Sequence, residues 1–175
     1  MKHIYTFLLA LLIYLPLSAQ NDWFIPFGQS QEQVRQYLAK KDYLLEVRED
    51  KGMHRMLASI EKDKQIEYVF DKGLLYATSV SRKYANKKAC KDILKSCLDY
   101  MELISSGKIV QTNLGNATCY TAVTNTRVIK LFVINHEHKS QTLQLTSFSR
   151  IHGPMKDDRL HYEVDLLSRY SPGND

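Results

Sequence analysis

The residues best placed to do chemistry are two histidines flanking a glutamate, His136-Glu137-His138. Side chains two apart on a strand point to the same side, a spacing that metal sites use for a pair of imidazole ligands. A third ligand would come from elsewhere, His152 or His161. The competing reading is a solvated turn, because the pair falls in a polar connection between two strand-like runs. Gly28-Gln29-Ser30 has the glycine that precedes a hydrolase nucleophile, but Glu32 stands where the following glycine should be. Ser30 with Gln33 instead matches a helix capping box. Asp157-Asp158 offers paired carboxylates, although in a polar tail where solvation is the simpler role.

A fourth cluster is electrostatic. Arg82, Lys83, Lys87, Lys88, Lys91 and Lys95 crowd the start of a helical stretch. Cations at a helix N-terminus oppose the macrodipole by ~0.3–1 kcal/mol each, so local stability does not account for them. They form the candidate partner-binding surface, suited to an acidic protein or anionic headgroups. Asp92 and Asp99 interrupt it, as a merely solvated helix side would also allow.

The elements that must position these groups follow from periodicity. Ser30 opens a short helix, about residues 30 to 40, with Val34, Tyr37 and Leu38 at helical spacing. Strand-like runs follow at Tyr43 to Glu49, Met53 to Glu61, Gln65 to Phe70 and Leu74 to Ser81, with turns at Asp50-Lys51-Gly52, Lys62-Asp63-Lys64 and Asp71-Lys72-Gly73. A second helix, about 87 to 105, is predicted from Cys90, Ile93, Leu94, Cys97, Leu98, Met101 and Ile104 at steps of three and four. Asn86 would cap its start and Gly107 would close its end. Four more runs follow: Lys108 to Thr112, Ala117 to Thr124, Arg127 to Asn135 and Thr142 to Ile151. Val, Ile, Thr, Phe and Tyr dominate them. The expected fold is therefore α+β, with helices packed on one face of antiparallel β-meanders and a helix-plus-four-strand order that occurs twice, in residues 23–82 and 86–151.

The ends read differently. Residues 1–19 have the form of an export signal: Lys2 and His3, an apolar run from Ile4 to Leu15, and Leu17-Ser18-Ala19 as the cleavage site before Gln20. That run is about a dozen residues, against the ~20 of a membrane-spanning helix. The expectation is a domain over 20–151 in the periplasm or outside the cell, with no transmembrane segment after cleavage. No cysteine follows the cleavage site, so a lipid anchor there is not expected. Trp23, Phe24, Ile25 and Phe27 are an apolar cluster at the mature start, read as core under the first helix. Residues 152–175 form a looser tail, in which Leu160, Val164 and Leu167 could make one docked helical stripe.

With 24 Lys+Arg against 19 Asp+Glu, the net charge of +5 is no nucleic-acid signature, and export disfavours that role further. Nothing calls for a cofactor: neither a phosphate loop nor a dinucleotide fingerprint is present. Cys90 and Cys97 would lie ~10.5 Å apart along one helix, beyond the ~7 Å a disulfide spans. An exported chain permits a bridge from Cys119 to Cys97 or Cys90; three buried thiols are the alternative.

Pro26-Phe27-Gly28-x-Ser30-x-x-x-Val34-x-x-x-Leu38, followed by Tyr68-x-Phe70-x-x-Gly73-x-Leu75, resembles the exported domains related to β-lactamase inhibitor protein and the SmpA/OmlA outer-membrane assembly lipoproteins. The resemblance spans about half the mature chain. It implies a non-enzymatic binding scaffold that meets a protein or envelope surface through an open sheet face. The lipidated cysteine of the assembly lipoproteins is replaced by Gln20-Asn21, so their anchor does not carry over. A small secreted enzyme or a metal-binding protein built on His136 and His138 is the alternative.

Overall fold

The computed structural model describes residues 25–41, 43–50 and 53–152. The signal-like residues 1–19, Trp23, Phe24, the turn at Lys51-Gly52, Asp157-Asp158, His161 and the Leu160/Val164/Leu167 stripe lie outside the described residues. Over the rest, the element order is helix α1 (Gln31–Ala39), strands β1 (Leu44–Asp50), β2 (Met53–Glu61), β3 (Lys64–Asp71) and β4 (Leu74–Tyr84), helix α2 (Lys87–Ile104), then β5 (Ile109–Leu114), β6 (Ala117–Val123), β7 (Arg127–Asn135) and β8 (Gln141–Ser149). Strand and helix combine into an α+β fold around one antiparallel sheet of eight strands, ordered β1-β2-β3-β4-β8-β7-β6-β5. Each meander therefore contributes its last strand to the middle, where Ala77 faces Phe148 and Tyr84 faces Gln141.

Local chemistry explains the entry into this sheet. Gly28 adopts φ 87°, a left-handed value that lets the chain reverse, and its N–H donates to the Leu75 carbonyl at 2.8 Å. Leu75 N–H returns the bond to Gln29. A Cβ on Gly28 would stand 3.0 Å from Nε2 of His152, so close approach adds a second demand for glycine. Ser30 then caps α1: its hydroxyl accepts from Gln33 N–H at 3.2 Å, and the Gln33 side chain accepts from Ser30 N–H at 2.8 Å. This reciprocal capping box gives Ser30 a structural task in place of a nucleophile's. Val34 and Leu38 are fully buried against Met56, Ile66, Tyr68 and Phe70.

The β3–β4 hairpin turns in two residues, with Lys72 at φ 49° and Gly73 at φ 80° between the paired Asp71 and Leu74. Two consecutive left-handed residues match the twist of a tight hairpin. Asn86 caps α2 by accepting from Ala89 N–H at 3.0 Å. Met101 is the fully buried centre of α2, packed with Ala122, Ile129 and Leu131, while Cys90 packs with Val133 and Leu143. The predicted stripe departs from observation at one residue: Ile93 is 40% exposed, because the buried line runs through Cys90, Leu94 and Cys97.

The end of α2 also differs in detail. Gly107 N–H bonds the Glu102 carbonyl at 2.8 Å, but the first left-handed position belongs to Ser106, at φ 55°. A serine there carries the steric cost of a Cβ that glycine avoids. Replacing it, Ser106→Gly, is expected to raise stability by about 0.5–1 kcal/mol, and Ser106→Val to lower it. Chemical denaturation of the two variants beside the parent checks the sign.

Candidate functional site

Basic residues gather where β4 ends and α2 begins. Lys87, Lys88, Lys91 and Lys95 are exposed along α2, and its first turn contains no acidic residue. Lys87, Lys91 and Lys95 follow one another at four-residue steps, which places their charges on one line along the helix. None of these four lysines, nor Lys83, forms an ion pair with another described residue. Arg82 is tied differently: its guanidinium lies 3.4 Å from a Glu61 carboxylate oxygen and 5.8 Å from the Tyr84 ring centroid. That pair is solvent-exposed and contributes little to stability, but it holds Arg82 beside the patch.

The histidine pair is not presented as an alternating strand would present it. His136 leaves β7 in extended conformation, while His138 sits in a short 3₁₀ turn, Glu137–Lys139, with φ 58°. The same-side spacing expected of His136 and His138 therefore does not apply. His136 is half-buried, its Nε2 2.8 Å from the Thr142 hydroxyl, whereas His138 is exposed. Thr142 lies opposite Lys83 in the β4–β8 pairing. Burial, and next the Lys83 charge, push the His136 pKa below its ordinary 6.5. A positive neighbour of this kind also repels a metal cation. His152, one of the two proposed third ligands, packs instead against Gly28. No group of three or more His, Cys, Asp or Glu is arranged to hold a metal ion among the described residues.

The thiols are free in this structure. Cys90 and Cys97 lie on α2, and the Cys90 thiol donates to Gln141 Oε1 at 2.8 Å. Cys119 belongs to a cluster with Phe132, the residue that faces it across the β6–β7 pairing. Phe132 and Val133 are neighbours on one strand and point to opposite sides of the sheet, and Val133 is the residue that packs on Cys90. The sheet thus stands between Cys119 and Cys90, which removes the geometry a bridge from Cys119 to Cys90 or Cys97 would need. Burial pushes the Cys97 thiol up to about 11 and raises Cys90 as well, so both stay protonated and unreactive near neutrality.

Of the apolar cluster at the start, Ile25 is buried in the α1 core and Phe27 is half-buried, its ring 5.3 Å from the Arg127 guanidinium. Sequence reading missed a second polar group altogether. Arg55 is 1% exposed and lies 3.5 Å from the Glu67 carboxylate. Beyond it, Gln144 donates to the Ser79 hydroxyl at 2.8 Å, and Ser79 meets the Thr146 hydroxyl at 2.9 Å. All three are buried. Arg55 alternates with His54 and Met56 in a strand of mixed polarity, so only the register could reveal which side is covered.

No family model, no curated protein and no solved structure matches this chain.

The depressed pKa of His136 carries a sign. The unfolded chain takes up a proton near pH 6.5 while the folded chain resists it. Stability is therefore complete above that pH and declines as pH falls toward the folded-state pKa. Melting temperatures from pH 7.5 to 5 should fall in the parent, and His136→Gln should flatten that part of the profile. An unchanged slope in the variant would show that His136 is not the group responsible.

Proposed function

We propose that this is an exported, non-enzymatic binding protein that engages an anionic partner at the envelope through the basic outer side of α2. The observation that carries the reading is the line of exposed lysines, Lys87, Lys91 and Lys95, flanked by Lys88, without ion pairs among the described residues. Lys87 and Lys88, in the first turn, meet the positive end of the helix dipole and raise local potential instead of relieving it. An anionic partner gains from both.

The proposed scaffold is a helix-plus-four-strand unit used twice, with both helices on one face of the sheet. Two features support it. The element order α, β, β, β, β recurs, and the two fourth strands pair with each other at the centre. Val80, which packs with the α1 cluster, lies opposite Leu145, which packs with the α2 cluster. This is the kind of scaffold that the resemblance to the inhibitor and assembly domains implies. The contact surface proposed here differs from theirs, because the residues of the second sheet face are buried. No described helix is long and apolar enough to cross a membrane, so the reading needs none.

A cation close to an anionic surface contributes ~1 kcal/mol, so losing three should weaken binding by roughly 100-fold. Lys87→Glu, Lys91→Glu and Lys95→Glu together are expected to abolish salt-sensitive binding to vesicles containing phosphatidylglycerol, or capture of acidic proteins from an envelope extract. Which of the two is lost identifies the partner class. Binding to either that is indifferent to both salt and the triple substitution would refute the proposal.

A further inference from the structure

Each end of the sheet leaves a strand with one neighbour among the described residues, and β1 is one of the two. An edge strand turns the N–H and C=O groups of every second residue outward, a template for one more strand. β1 runs for seven residues in unbroken register with β2, without the proline or bulge that would spoil a second pairing. Leu44 and Val47 are 77% and 49% exposed, and the Glu46 and Arg48 side chains are more than half exposed, so this strand meets solvent. Its charges are not all of one sign, as a purely repulsive guard on an edge would have them. Glu46 and Arg48, two apart and so on one face, bind each other twice: Nε donates to Oε1 at 2.7 Å and Nη2 to Oε2 at 2.9 Å.

We propose that a second copy of this chain docks on this edge, the two β1 strands pairing antiparallel about a two-fold axis through Val47. Opposed residues in an antiparallel pair share a face, so the axis must fall on a residue and not between two. Centred on Val47, it sets Glu46 opposite the partner's Arg48 and Arg48 opposite the partner's Glu46. With the bond already made along each strand, the four charges alternate in sign around a square.

Charge also selects this register over its neighbours. Moving the axis one residue either way sets Glu46 against the partner's Glu46, or Arg48 against the partner's Arg48, and like charges directly opposed are destabilising. With the axis on Val47, the outer positions set Leu44 and Leu45 against the partner's Asp50 and Glu49, and no like charges face each other. The other edge lacks this property: β5 reads Ile109-Val110-Gln111-Thr112-Asn113-Leu114, without a charge to choose any register. Pairing through β1 joins eight strands from each copy into one continuous sheet and removes both β1 edges from solvent, leaving β5 at its two ends.

Sedimentation of the purified protein at about 100 µM should give twice the mass of one chain, and dilution should return it toward one. Glu46→Arg and Arg48→Glu each surround the axis with charges of a single sign, and each should raise the dimer dissociation constant about tenfold or more. Mixed in equal amounts, the two variants oppose unlike charges again and should recover dimers of near-parental strength, a rescue that damage to the monomer fold would not produce. A parent that stays at the mass of one chain, a dimer indifferent to both substitutions, or two variants that do not rescue each other overturns the proposal. If a variant fails to fold, hydrogen exchange on the parent at low and high concentration decides. Amides of β1 should slow about tenfold or more on concentration while those of β5 keep their rates, and β1 rates independent of concentration overturn the proposal.

Discussion

The pairing of β4 with β8 is the constraint on which the rest of the molecule depends. Eight residue pairs, from Ala77 opposite Phe148 to Tyr84 opposite Gln141, join two four-stranded meanders into one sheet. Without it, each meander would present a central, apolar edge to water, and unpaired edges of that kind invite aggregation. Both faces are continuous across this seam. Val80 pairs with Leu145 across it, and Ser79, on the alternate side of the strand, bonds to Thr146 and Gln144. The buried polar contacts add register: a slip of one residue would turn Ser79 to the opposite face and strand its partners without hydrogen bonds.

The seam also determines where α2 lies. Tyr84 ends β4, and only Ala85 and the cap residue Asn86 separate it from the helix, so the basic residues follow directly from the central strand. Lys83 lies opposite Thr142, which holds His136. Lys83 and His136 are thereby neighbours, and the lysine's charge works against a metal at the histidine. The lysines of α2 are exposed on a helix carried by the sheet.

Much of the fold was legible in the sequence because local signals and long-range packing agree. Ser30 and Gln33 announce the start of α1, Asp71-Lys72-Gly73 announces a hairpin, and the period of Cys90, Leu94, Cys97 and Met101 announces α2. Ile93 misled because one apolar residue at the rim of a stripe has the same spacing as one at its centre. The His136/His138 spacing misled for a different reason: the two-residue rule holds only within a strand, and β7 ends at Asn135. Nothing local could show that β4 meets β8, since that pairing joins residues 57 to 71 apart along the chain. The candidate site was legible as composition, in the lysines, but the buried second face and the burial of Arg55 were not. They depend on which strands are neighbours and in which register they pair.

Residue-resolved native-state hydrogen exchange tests the central claim most directly, namely that one cooperative sheet is locked through β4 and β8. The account predicts that amides of β4 and β8 exchange most slowly, and that β3 and β7 on either side open with the same free energy, as a single unit. Separate opening energies for the two meanders, with β4 and β8 exchanging ahead of the strands that flank them, would contradict it.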